Sequence, residues 1–89
     1  MESLLAEVEI YTKMTCPYCI RAKKLFEIKR IPFKEIAVDF GGPEKAKMVE
    51  RSGGRTTVPQ IFINGRHVGG CDDVMELEQM GKLDEALAA

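Results

Sequence analysis

Val8-Glu9-Ile10-Tyr11-Thr12-Lys13-Met14-Thr15-Cys16-Pro17-Tyr18-Cys19 is the stretch that decides the fold, because its periodicity changes midway. From Glu7 to Thr12, Val8, Ile10 and Thr12 alternate with Glu7, Glu9 and Tyr11, the period of two expected of a strand. From Pro17 to about Lys29 the apolar or small residues Tyr18, Cys19, Ala22, Leu25 and Phe26 return at helical spacing. Proline suits a first helical position, where its fixed φ fits and its missing N–H is no loss. Two thiols thus stand three residues apart at the mouth of a helix that follows a strand. Such a pair can close into a small disulfide and open again. With 3 cysteines in the whole chain, this is where chemistry would sit.

Outward from that stretch, Ile31-Pro32 ends the helix and Phe33 to Val38 supplies a second strand. Gly41-Gly42-Pro43 starts a short helix running through Ser52, and Gly53 is a natural left-handed terminator. Ile61-Phe62-Ile63 is a continuous apolar run, as expected of a strand covered on both faces. Asn64-Gly65 is a strong hairpin signal, with Arg66 to Val68 as the return strand. Gly69-Gly70 breaks that strand. Asp72 to Met80 carries Val74, Leu77 and Met80 at helical intervals, Gly81 ends it, and Leu83 with Leu87 suggests a closing helix. No repeat, low-complexity segment or linker interrupts residues 1–89, so a single domain is expected. A βαβ unit followed by a β-hairpin gives an α/β fold, a mixed four-stranded sheet flanked by helices, which resembles the thioredoxin-like plan.

A chain of 89 residues can bury one modest core, somewhat over roughly 60% of its unfolded surface. Its apolar fraction of 45% and charged fraction of 30% suit an ordinary soluble globule. The net charge of −1 gives no basic footprint for nucleic acid. No stretch reaches bilayer-spanning length, and Met1 to Ala6 lacks the basic start and apolar run of a leader. A cytoplasmic location is therefore expected. In that reducing environment a CxxC pair is more often catalytic or metal-binding than structural. Nothing in the pattern demands more than a monomer.

The thiolate is the form that attacks a disulfide. At the start of its helix, Cys16 meets unpaired N–H groups and the positive end of the macrodipole, both of which favour a negative sulfur. Lys13 stands three residues upstream and adds positive charge. Cys16 is therefore expected to be the exposed nucleophile. Cys19, one turn on and on the same face, is expected to resolve a mixed disulfide on Cys16. Two other accounts compete: the pair packs as small apolar side chains, or Cys16, Cys19, His67 and Cys71 form a Cys₃His zinc module. Against zinc, 47 residues (20–66) separate the two halves of that ligand set.

Cys16-Pro17-Tyr18-Cys19, Thr57-Val58-Pro59 and Gly69-Gly70-Cys71-Asp72-Asp73, in this order and spacing, resemble a dithiol glutaredoxin from about Val8 to Leu87. The resemblance implies a glutathione-dependent thiol–disulfide oxidoreductase, with no bound cofactor or metal and with glutathione as co-substrate. It further implies a cis peptide before Pro59 and a Val58 main chain that pairs with the cysteinyl part of glutathione. The helix mouth at Gly70, Cys71 and Asp72 would hold the γ-glutamyl carboxylate on main-chain N–H groups, and Asp73 would take the amine. Lys13, Tyr18 and Thr57 would flank the ligand. Each residue also has a plainer account. Pro59 suits an ordinary turn, either Asp suits a helix cap, Lys13 suits solvent, and Tyr18 suits a wet aromatic. His67 reads as an exposed strand residue, and Cys71 as buried filler or an oxidisable thiol.

Protein partners are then glutathionylated or disulfide-containing proteins. The alternative within the same chemistry is a glutaredoxin-like redoxin reduced by thioredoxin reductase. The chain lacks the single-cysteine site of the iron–sulfur-carrying branch, and Pro17 disfavours bridging a cluster. Arg21, Lys23, Lys24, Lys29 and Arg30 make the first helix basic, a solvated face that could steer an anion. Gly53-Gly54 is one glycine longer than the family's common pattern, which would shift the loop carrying Arg55 to Thr57.

Overall fold

The computed structural model describes residues 6–88, so the leader argument made on Met1 to Ala6 falls, apart from Ala6, outside it. The elements in chain order are β1 (Val8–Thr12), α1 (Pro17–Ile28), β2 (Lys34–Ala37), α2 (Gly42–Arg51), β3 (Gln60–Ile63), β4 (Arg66–Gly69), α3 (Cys71–Gln79) and α4 (Leu83–Leu87). They form a four-stranded sheet in the order β2-β1-β3-β4. β1 runs parallel to β2, with Tyr11 opposite Ile36, and antiparallel to β3, with Ile10 opposite Ile61. β4 returns antiparallel to β3 with a register shift at Ile61/Phe62. This is the expected mixed sheet flanked by helices. Among the described residues no helix is long and apolar enough to cross a membrane.

Two cores lie on opposite faces of the sheet. Val8, Ile10, Ile61 and Ile63 pack with Ala22 and Phe26 of α1, Cys71 and Val74 of α3, and Leu83 of α4. Tyr11 and Phe62 pack on the other face with Val38 and with Met48 of α2. The continuous run Ile61-Phe62-Ile63 thus feeds both cores in alternation, which is why it carries no polar residue. The same arrangement corrects the expectation for Tyr11. The alternation grouped Tyr11 with Glu7 and Glu9, yet it is 2% exposed because α2 covers that face. Its hydroxyl accepts from Arg51 at 2.9 Å, and Arg51 also binds Glu9 at 2.7 Å.

The helix ends explain where the loops point. Arg30 and Ile31 donate to Glu27 and Phe26, a left-handed terminator made with a non-glycine residue, Arg30 at φ 61°. α2 ends similarly, with Gly53 N–H donating to Glu50 O at 3.3 Å and Gly54 N–H to Val49 O at 2.8 Å. Both glycines have positive φ and are used up in stopping the helix. The Ser52 hydroxyl lies 3.2 Å from Val49 O and 3.1 Å from Arg55 O, sharing its one proton between these carbonyls, and it accepts from the Arg55 N–H, tying the loop start to the helix end.

The basic face of α1 is partly neutralised. Lys23 pairs with Glu35 at 2.9 Å, and Lys29 pairs with Glu78 and Asp84 at 3.0 and 2.9 Å.

Candidate functional site: the dithiol and the adjoining groove

β1 delivers the chain to a turn that leaves Cys16 as the N-cap of α1, in extended conformation, with Pro17 next. The Cys16 sulfur accepts from the Cys19 N–H at 3.1 Å. That bond puts an amide donor from the first turn of α1 directly on the sulfur. All three cysteines are free. Cys16 is not the exposed side chain expected of it: it is 9% exposed, and the Val58 carbonyl lies 3.8 Å from its sulfur. The first turn of α1 and the Val58 main chain close over it, leaving a narrow approach.

Cys19 is deeper, at 1% exposed. Burial first, then its bond to Cys16, pushes its thiol up to about 12, against weaker opposing pulls from the Lys13 main chain and Lys23. Cys19 therefore keeps its proton at neutral pH, and the two sulfurs differ in kind. Cys71 has its side chain in the core at 4% exposed, and burial pushes its thiol up as well. Of the two accounts of this third thiol, buried filler describes its packing.

Beside the dithiol runs a cleft of about 340 Å³ lined by Tyr18, Arg55, Thr57, Val58, Pro59, Gly70, Cys71, Asp72 and Asp73. Eight of these nine were singled out from the sequence. One wall is the loop ending in a cis Val58–Pro59 peptide bond, and the other is the N-terminus of α3. Among the described residues the Val58 N–H has no hydrogen-bond partner. A larger hollow of about 520 Å³ along β4, α3 and α4 contains no thiol.

The remaining candidates fall into place around this cleft. Lys13, on the connector before Cys16, does not line it. Tyr18 is exposed, with the Arg21 guanidinium 5.6 Å from its ring centre. Asp73 accepts from the Gly70 N–H at 2.8 Å, so the capping account of this residue holds, whereas Asp72 is exposed and forms no cap. Arg55 was not singled out as a site residue. It reaches across the cleft to within 3.7 Å of Asp73. The signal for it was a cation directly ahead of Thr56-Thr57-Val58-Pro59.

His67 is half-buried rather than exposed. Its ring stacks on Phe62, centres 5.0 Å apart, and its Nε2 lies 2.6 Å from Gln60 Oε1. Among the described residues no three His, Cys, Asp or Glu side chains converge as a metal site. The zinc module of Cys16, Cys19, His67 and Cys71 is therefore not supported, since His67 is engaged elsewhere and Cys71 faces the core.

The family profile for glutaredoxin matches residues 8–68. The chain is 53% identical over 83 residues to glutaredoxin 3 of Escherichia coli K12, covering 93% of this chain and 99% of that protein. It resembles the solution structure of glutaredoxin from Brucella melitensis with a TM-score of 0.83 and 49% identity, over 99% of this chain and 95% of that one. A crystal structure of a buckwheat glutaredoxin–glutathione complex matches with a TM-score of 0.81 and 36% identity, over 92% and 76% of the two chains. With sulfurs of unequal depth at a helix mouth and likeness along nearly the whole chain, the protein belongs to the glutaredoxin family and is a thiol–disulfide oxidoreductase.

Proposed function

We propose that this oxidoreductase uses glutathione as its co-substrate, with Cys16 as nucleophile and Cys19 as resolving thiol. The observation that carries the proposal is the asymmetry of the pair: an amide donor 3.1 Å from Cys16 Sγ, and burial that keeps Cys19 protonated. The Cys16 thiolate attacks the glutathione sulfur of a protein–glutathione mixed disulfide. The Cys16–glutathione bond forms, the old S–S bond breaks, and the protein thiolate leaves and takes a proton from water. A second glutathione thiolate attacks the bound glutathione sulfur, giving glutathione disulfide and restoring Cys16. For a protein disulfide, Cys16 attacks first. Cys19 then gives its proton to the departing thiolate and closes the internal bridge.

The groove beside Cys16 fits the tripeptide in chemistry. Val58 offers a free N–H and a nearly free carbonyl for strand-like pairing with the cysteinyl unit, as Thr57 and Pro59 frame it. The N–H groups of Cys71 and Asp72 suit the γ-glutamyl carboxylate, and Asp72 and Asp73 supply negative charge for its amine. Arg55, with Lys13, suits the glycyl carboxylate, and Tyr18 flanks the sulfur. That a buckwheat relative forms a complex with glutathione supports this assignment. No resident cofactor takes part; the protein works as a single-domain monomer in the cytoplasm on glutathionylated or disulfide-containing proteins.

A glutathione-coupled reduction assay on wild type, Cys16→Ser and Cys19→Ser tests the proposal. Cys16→Ser should lose both reactions, and Cys19→Ser should keep deglutathionylation while losing protein-disulfide reduction. Turnover with thioredoxin reductase and none with glutathione would replace glutathione as reductant.

A further inference from the structure

Gln60 is completely buried, yet every polar atom of its side chain is used. Its Nε2 donates to Thr57 O at 3.0 Å and to Thr57 Oγ1 at 3.3 Å. Because that end must donate, Oε1 is the atom that faces His67 Nε2 at 2.6 Å, and His67 must carry its proton on Nε2. His67 is fixed in turn by lying opposite Phe62 in the β3–β4 pairing and stacking on its ring. Burial, then the charge of Arg55, lowers the His67 pKa below its ordinary value, which favours the neutral single tautomer. A directed chain therefore runs from the hairpin to the groove: His67 to Gln60 to the Thr57 carbonyl.

The peptide joining Thr57 to Val58 is trans. In a trans peptide the C=O and the following N–H point in opposite directions. Holding the Thr57 carbonyl inward on Gln60 therefore turns the Val58 N–H outward, toward the cleft that Val58 lines. That N–H is the donor the glutathione proposal needs, and this inference rests on that proposal. We infer that His67 is a positioning residue: through Gln60 it fixes the orientation of the Thr57–Val58 peptide and so sets affinity for the glutathionyl group. Ser52 secures the other end of the same loop, so the segment between is held by two buried polar clamps.

The test is His67→Phe, which keeps the stacking on Phe62 and strands the Gln60 oxygen, with His67→Gln as the variant that restores an N–H donor. KM for a glutathionylated peptide should rise about tenfold in His67→Phe, the loss expected when one main-chain hydrogen bond goes out of alignment. kcat, and the rate at which iodoacetamide alkylates Cys16, should stay within about twofold, since neither needs the groove to grip. His67→Gln should recover most of the KM. An unchanged KM in folded His67→Phe, or parallel loss of KM and alkylation rate without rescue, would overturn the inference. A wild-type protein inactive with glutathione would instead refute the parent proposal. The wild type gives a check independent of any variant's folding: imidazole ¹⁵N shifts should report the Nε2–H tautomer, and the Nδ1–H tautomer would refute the relay.

Discussion

Replacing Gly69 by alanine tests how tightly the groove wall is built. Gly69 has φ 130°, a conformation L side chains rarely adopt, and a Cβ there would collide with the Asp73 carboxylate. It would lie 2.6 Å from Asp73 Cγ and 2.9 Å from its Cβ. Because Asp73 Cβ is itself among the crowded atoms, rotating the carboxylate away does not clear the clash. The helix must shift or Asp73 must give up its bond to the Gly70 N–H. Forcing the backbone region costs about 1–3 kcal/mol, and losing the cap about 1 kcal/mol more. The expected destabilisation is thus about 3 kcal/mol, or roughly 15 °C in Tm for a domain of this size. Gly70→Ala is the internal control, since its Cβ makes only ordinary contacts, 3.4 Å to the Pro59 carbonyl, 3.8 Å to the Arg55 guanidinium and 4.0 Å to the Asp73 carboxylate, and its φ is −95°. It should cost under about 1 kcal/mol. Urea unfolding of both variants, and of Gly69→Ala with Asp73→Ala, provides the assay. The double variant should recover the clash portion of the loss. Equal destabilisation by the two alanines, or strict additivity with Asp73→Ala, would refute the reasoning.

Other expectations concern charge and helix ends. Arg30→Gly should stabilise the protein by about 0.5–1 kcal/mol in urea, because φ 61° strains an L residue; no gain would mean the left-handed cap is not strained. The Glu35 carboxyl is held below its ordinary 4.5 by the Thr12 hydroxyl and then by Lys23. That contribution is present above pH 4.5 and is lost as pH falls through the folded value. The stability gap between wild type and Glu35→Gln should therefore shrink on acidification, and a gap constant to pH 3 would contradict it. Cys19 titrates higher folded than unfolded, about 12 against 9.0. Its contribution is full below pH 9 and fades as pH rises toward 12. The reduced wild type should accordingly lose stability more steeply there than Cys19→Ser; parallel curves would argue against a buried, protonated Cys19.

The sequence exposed the order of elements because their signals are local. Periodicity marked the strands and helices, Asn64-Gly65 marked the hairpin, and Pro17 and Gly53 marked helix ends within a residue or two. The long-range contacts were not legible. Tyr11 looked solvent-facing because its cover, α2, lies 31 residues or more along the chain (from 42), and nothing in a five-residue strand reports a second core. His67 looked exposed because its partner Gln60 is brought to it only by strand pairing and the β3–β4 register shift. The extra glycine at Gly53-Gly54 looked like a loop insertion, yet the helix stop takes up both, and Thr57, Val58 and Pro59 still reach the groove. The burial of Cys16 was hidden for a similar reason, since the Val58 main chain that covers it is 42 residues away.

The most direct measurement treats reduced Cys19→Ser with equimolar glutathione disulfide and maps the adduct by peptide mass spectrometry. Because resolution is blocked, the account predicts one glutathione per chain, bound to Cys16, and released by added glutathione. Glutathione on Cys71, or no adduct at all, would contradict it.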